Sequence, residues 1–377
     1  MKKVFLLSIA LLFYNLLFSQ VIYEEINSKK LNSTRQIKIQ LPRNYEENTQ
    51  KKYPIILVLD GDYLFEPVAG NVDFYSYWED MPQSIVVGIM QGDKRYKDCF
   101  FDRTTQFPSG EGADFFEFLG MELLPYLGNK YRTVDFVVAV GHDFTANFIN
   151  YFLFKERLIF DGYINLSPDF TPLMKNRILE RIPSINEKVF YYLATGSNDI
   201  KAIKESAEDF DRQLKSIKNN SFHYHFDNFE DATHYSLVAR GIPNALEKIF
   251  SIYRPIGPKE YTEILSTPEI STYQYLLNRY KTTEELYGIK QKMRIHDFLY
   301  VGAASEKKQD WESLCEIGNL ANKQYPYKNI GDYFLGRFYE ETGEHSKAIR
   351  TFKAAFEKEE VDYITGDFLL ARAKRIK

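Results

Sequence analysis

Residues 137–152 read VVAVGHDFTANFINYF. An apolar run from Phe136 to Val140 stops at Gly141, and three residues later an amphipathic stretch rich in Phe, Ile and Tyr begins. A continuous apolar run of this length suits a strand buried on both faces, and the stretch after it has helical spacing. The segment therefore reads strand, sharp turn, helix, with Asp143 at the apex. Aspartate is among the few residues that tolerate the left-handed backbone of such an apex.

Moving outward, the same rhythm fills residues 35–255. RQIKIQLP (35–42) alternates like an early antiparallel strand, and YPIILVLDGD (53–62) is an apolar run that ends in a turn. SIVVGIM (84–90), VDFVVAV (134–140), FDGYINL (160–166), VFYYLAT (189–195) and SFHYHF (221–226) continue the series. Helix-like spacing occupies 111–128, 144–158, 201–218 and 237–252. Strands alternating with helices predict an α/β fold, a mostly parallel sheet with helices on both faces.

Pro255, Gly257 and Pro258 close this region, and no strand pattern returns beyond them. Leu335, Gly336, Tyr339, Gly343, Ala348, Phe352 and Ala355 stand at tetratricopeptide offsets, and Gly302, Ala321 and Pro326 lie about 34 residues earlier in equivalent positions. The spacing predicts a small all-α domain of two stacked helix pairs over 295–360, capped by a terminal helix. The expected division is a leader at 1–19, an α/β domain at 20–257 and a helical tetratricopeptide-like domain at 258–377.

Hydrophobic residues make up 44% of the 377-residue chain and charged residues 27%, an ordinary globular balance, and 16% aromatic content supports a large core. The net charge of −4 is spread without a basic patch, so nucleic acid is not an expected partner. The opening MKKVFLLSIALLFYNLLFSQ has two lysines, a short apolar run and Ser19 at the expected cut, which reads as a cleaved secretory signal. Export to the periplasm or the medium is expected, with no membrane span after cleavage. Cys99 and Cys315 are expected as lone thiols, and no Cys/His spacing suits zinc. No cofactor is expected.

Four stretches together resemble the "Putative esterase" family of α/β-hydrolases, which includes enterochelin esterases, S-formylglutathione hydrolases and feruloyl esterases. They are IKIQLPRNYEENTQKKYPIILVLDGDYLF, GADFFEFLGMELLPYLGNKYRT, VAVGHDFTANFINYFLFKERLIFDGYINLSPDF and FEDATHYSLVARGIPNALEKIF, and the resemblance spans about residues 25–253. It implies the α/β-hydrolase fold, with the apex at 143 being the family's nucleophile elbow, which ordinarily reads G-x-S-x-G. It also implies that His234 is the catalytic base and that Asp199 orients it, with Glu205 and Asp209 as competitors. Phe144 and the Gly61-Asp62 loop would supply oxyanion-hole N–H groups. Ser167, in a Ser-Pro that follows the next strand, is expected as a wall of the pocket rather than a substitute nucleophile.

The departure is at the nucleophile. A serine attacks after histidine takes its proton, whereas Asp143 has no such proton at neutral pH. Thr145 and Ala146 replace the glycines that follow, and Thr145 is expected to add bulk to the pocket. Asp143 is expected within hydrogen-bond reach of His234, or one water away, and paired with it when the imidazole is protonated. Three functions compete. One is a carboxylic-ester hydrolase, weak or inactive, that uses water with Asp143 or His234 as base. Another is a non-catalytic binding protein using the pocket and the helical repeats. The third is an aspartate-nucleophile hydrolase of dehalogenase or epoxide-hydrolase type. The ligand expected is a small or glycan-linked ester, and the repeats offer a surface for a protein partner. His142 is expected to pack beneath the elbow, and His223 and His225 to form the polar face of the last strand rather than a metal site.

Overall fold

The computed structural model describes residues 21–267 and 269–376. The leader expected at 1–19 lies outside them. Among the described residues no helix is long and apolar enough to cross a membrane. The chain divides into two compact units, 1–251 and 252–377.

The first unit is built on an eight-stranded sheet of order β1-β2-β4-β3-β5-β6-β7-β8. Its strands are β1 (Val21–Ser28), β2 (Ser33–Gln40), β3 (Tyr53–Val58), β4 (Ile85–Ile89), β5 (Thr133–His142), β6 (Gly162–Leu166), β7 (Val189–Asn198) and β8 (Phe222–Thr233). β1 and β2 form an antiparallel hairpin, and β2 joins β4 antiparallel. From β4 to β8 every pairing is parallel. β3, β4 and β6 are buried at every position, which is why they read as unbroken apolar runs.

The intervening helices are α1 (Phe65–Tyr77), the single turn α2 (Arg95–Asp98), α3 (Glu111–Glu117), α4 (Leu124–Lys130), α5 (Phe144–Ile149), α6 (Met174–Arg181), α7 (Lys201–Leu214) and α8 (Ser236–Ile249). A π-helical stretch, Phe118–Leu123, joins α3 to α4, and α5 tightens into a 3₁₀ turn, Asn150–Phe154. On one face of the sheet Phe115, Phe118, Phe148, Phe152, Ile178 and Phe210 pack over the strand side chains. On the other, Phe65 of α1 lies on Gly88 and Gly241 of α8 faces Leu166 and Ala194.

The second unit is helical: α9 (Pro258–Ser266), α10 (Thr272–Tyr287), α11 (Ile295–Lys308), α12 (Trp311–Gln324), α13 (Ile330–Glu341), α14 (His345–Ala355) and α15 (Gly366–Arg375). Its core gathers Leu276, Phe298, Leu314, Ile317, Phe334, Phe352 and Leu369. Gly302 leaves room for the Phe334 ring and Gly336 for the Phe352 ring; a Cβ would meet those rings at 2.3 and 2.4 Å. α9 and α10 carry no repeat signature and were not expected from the spacing.

Candidate active site

The six parallel strands each deliver one polar residue just past the carboxyl end. In sheet order these are Arg95 after β4, Asp60 after β3, Asp143 after β5, Ser167 after β6, Asp199 after β7 and His234 after β8. In open α/β sheets ligands bind at this edge. Asp60, Asp143 and Ser167 end three adjacent strands with left-handed backbones, at φ of 54°, 59° and 46°. Non-glycine residues seldom adopt this conformation, and such strain concentrates at functional sites.

Asp143 sits at φ 59°, ψ −118° immediately before α5. Gly141 makes the turn feasible. A Cβ there would stand 2.6 Å from the backbone of Thr145 and Ala146, so only glycine lets strand and helix approach this closely. Phe144 heads α5, where the first N–H groups of a helix have no partner inside it. Asp62, the other expected oxyanion position, turns its carboxylate inward to accept the N–H of Gln91 at 2.8 Å and of Gly92 at 3.0 Å, which pins the loop.

Asp199 and His234 are joined by a 2.8 Å bond between Oδ1 and Nδ1. Ser167 Oγ donates to Asp199 Oδ2 at 2.5 Å and lies 2.9 Å from the same Nδ1. Thr195 Oγ1 and the Ile200 N–H complete the set around Asp199. Burial alone would raise this carboxyl, but the bonds from His234, Ser167, Thr195 and Ile200 outweigh it and hold the pKa down at about 2. Asp199 is thus the carboxylate bonded to His234; Glu205 and Asp209 are not its partners, and Asp209 instead binds Lys175. Ser167 is fully buried on the Nδ1 side of the imidazole, so it braces the pair and does not face a ligand from the Nε2 side. His234 Nε2 has no hydrogen-bond partner among the described residues.

His142 lies beneath the elbow, 1% exposed. Its Nε2–H donates to the His234 carbonyl at 2.9 Å, and its Nδ1 meets the Tyr63 hydroxyl at 2.9 Å. Burial, helped by the neighbouring His234, lowers its pKa and keeps it neutral.

The carboxylate of Asp143 departs from expectation. No hydrogen bond joins it to His234. It is paired instead with Arg95, Nη1 to Oδ2 at 3.3 Å. Arg95 is anchored by a two-pronged pair to Asp60, at 2.6 Å from Nε and 3.1 Å from Nη2, and by the His142 carbonyl at 3.0 Å. Burial works against its charge, but the hydrogen bonds and charge of Asp60 prevail and the guanidinium is held above its ordinary pKa. The turn that carries Arg95 is itself fixed. Asp98 pairs with buried Arg35 at 2.6 and 2.8 Å, and Gln91 bridges Asp98 to the Asp60 N–H.

Thr145 does not narrow the pocket. It is fully buried, its hydroxyl donates to Asp60 Oδ2 at 2.6 Å and accepts the His142 N–H at 2.9 Å. The expectation of added bulk in the pocket failed because a hydroxyl this close to a buried carboxylate is drawn inward. Asp169 lies beyond Ser167, its N–H 3.3 Å from the Asp143 carbonyl. Partial burial, and then the charge of Asp143, raise its carboxyl pKa. A cavity of about 360 Å³ opens beside the elbow between Tyr96, Lys97, Phe100, Gly110 and Glu111, and Tyr96 packs on Phe144. His223 and His225 stack on Phe190 and Tyr192 of β7.

Sequence reading missed Arg95 and Asp60. The signal that existed was the aspartate ending the β3 run and a lone arginine in the turn after the β4 run.

Residues 28–145 match the family described as Putative esterase. An uncharacterised protein from Capnocytophaga ochracea superposes with a TM-score of 0.82 at 31% identity, over 95% of this chain and 99% of that one. An IroE-like serine hydrolase from Shewanella oneidensis gives 0.61 at 20% identity, over 80% and 99%. The BES protein from Bacillus cereus gives 0.53 at 20% identity, over 61% and 96%. No curated protein matches.

Proposed function

The chain belongs to the "Putative esterase" family of α/β-hydrolases, and from that premise we propose that it is a weak carboxylic-ester hydrolase whose turnover passes through water rather than through the elbow side chain. One observation carries this reading: the elbow carboxylate is paired with Arg95, while His234 is oriented by Asp199 and keeps Nε2 unpartnered. A carboxylate engaged by a guanidinium is a poor nucleophile, and attack on an ester would expel an alkoxide, a worse leaving group than the carboxylate that attacked. In the water route, water oxygen bonds to the ester carbonyl carbon and its proton passes to His234 Nε2. The tetrahedral oxyanion then collapses, the bond to the alcohol oxygen breaks, and that oxygen takes the proton back from Nε2. Negative charge on Asp143 opposes the developing oxyanion, which keeps the rate low.

Binding without turnover is the second reading. It is favoured by the same ion pair, since a neutralised elbow needs no catalytic purpose. An ester-type ligand is the common element, and the solved relatives named above supply only the fold. Export is proposed on the N-terminal run alone, and cell fractionation of the tagged chain tests it.

The test is hydrolysis of an activated aryl ester. Wild-type turnover should lie orders of magnitude below that of a serine enzyme of this fold. Asp143→Ser should raise it at least tenfold, because the base, its acid and the elbow are in place. His234→Ala in wild type should abolish the residual rate under the water route and change nothing under binding alone. High wild-type turnover that disappears in Asp143→Asn would overturn both readings in favour of a nucleophilic aspartate.

A further inference from the structure

The two halves of the polar row are bonded differently. Arg95, Asp60, Asp143 and Thr145 form one cluster, and Ser167, Asp199 and His234 form the other. The boundary falls between Asp143 and His234, where an esterase of this fold would place its key hydrogen bond. The separation is not one of distance alone. His142, next to Asp143 in the chain, has its ring centroid 4.5 Å from that of His234 and bonds its carbonyl. Asp169 interacts electrostatically with both Asp143 and His234. The elbow carboxylate and the imidazole thus share the neighbours His142 and Asp169, while Arg95 pairs with the carboxylate.

We propose that Arg95 is a positioning residue that holds the Asp143 carboxylate on the Asp60 side of the elbow and so leaves His234 Nε2 free to accept a proton from water. The guanidinium suits this task because its plane is set before it meets Asp143. Nε and Nη2 are committed to Asp60, which is 1% exposed, and Nη2 also to the His142 carbonyl. Only Nη1 is left for the elbow. The fork geometry of arginine provides this division of labour, and lysine, with one nitrogen, cannot hold both carboxylates in the same way. Asp60 is held in turn by Thr145, Tyr63 and, through its N–H, Gln91. Without Arg95, protonated His234 would be a cation to which Asp143 could turn, and an ion pair there would remove the base from service.

This inference rests on the water-route reading, but its test does not depend on ester turnover. The readout is the pH titration of the His234 ring by NMR in the full chain. The groups facing that ring are Asp199 from β7, His142 from β5, Asp169 from the loop after β6, and Tyr235 on its own loop. They are unchanged in the variants used. Arg95→Met should move the titration midpoint upward by about one pH unit, as an opposite charge a few ångströms away does. Arg95→Met with Asp143→Asn should return it to the wild-type position, and Asp143→Asn alone should leave it there. An Arg95→Met midpoint equal to wild type, or one that stays high in the double variant, overturns the proposal. If Arg95→Met fails to fold, Asp143→Asn still decides: a downward shift of a full unit would mean that Asp143 acts on His234 despite Arg95. An active Asp143→Ser enzyme with these NMR results negative would sink the positioning role and leave the esterase reading standing.

Discussion

Thr145 stands where the family pattern has glycine, yet it serves Asp60 rather than the pocket. Its hydroxyl is the donor to a carboxylate that is 1% exposed and the acceptor of a backbone N–H. Thr145→Val keeps the shape and deletes both bonds, leaving Asp60 with one fewer donor. It should cost about 1–3 kcal/mol of stability in denaturant unfolding, and Thr145→Gly in an Asp143→Ser background should lose stability rather than gain activity by opening the elbow. Asp161 offers a second residue-scale test. It accepts the Val137 N–H at 2.8 Å, and burial pushes its carboxyl up to about 7. In the unfolded chain it titrates near 4. Between those values the folded state binds the extra proton, so this group makes wild-type stability fall as pH rises from about 4 to 7, and the deficit is complete above 7. Asp161→Asn keeps an acceptor and removes the charge. Its melting temperature should exceed wild type at pH 8 and approach it at pH 4; an equal gain at both would refute the assignment.

At the scale of elements, the elbow is a contact between a strand and a helix that only Gly141 permits. The atoms a Cβ would meet are backbone, so no side chain can swing away. Gly141→Ala should therefore destabilise by about 1–3 kcal/mol as overpacking does, and should erase any ester hydrolysis gained by Asp143→Ser. A stable, active Gly141→Ala, Asp143→Ser double variant would show that the turn is looser than described. This element was legible in sequence because its parts are local: an apolar run, a glycine, an apex residue, a helical period. The loops bearing Asp199 and His234 were legible on the same grounds, each following a strand pattern. α2 was not. It is one turn, and the charges of DKRYKDC alternate with aromatics as solvated loops often do. What orders it is the pairing of Asp98 with Arg35 on a distant strand, which leaves no local periodicity. β1 and α1 escaped for a related reason: neither shows a clean period of two or 3.6, and tertiary packing decides their state; α6 is only eight residues long, too short for its periodicity to stand out.

For the whole molecule, the helical unit keeps the small residues expected at 302, 321, 336 and 355 in tight places. Gly302 and Gly336 admit phenylalanine rings, and Ala321 and Ala355 are fully buried. That its outer surface serves a partner remains a proposal resting on the repeat spacing. In the α/β unit, each site residue comes from a different strand end, in the order of the sheet. Neighbours in that row are far apart along the chain, and Asp199 cannot meet Ser167 until β6 and β7 are in register. Long-range pairings of this kind close large loops and form late in folding. The site is therefore also a clock. The low titration of Asp199 draws on bonds from the β6, β7 and β8 ends, so its appearance during refolding would mark the moment these three strands have come together. No fragment lacking β6, β7 or β8 should display it.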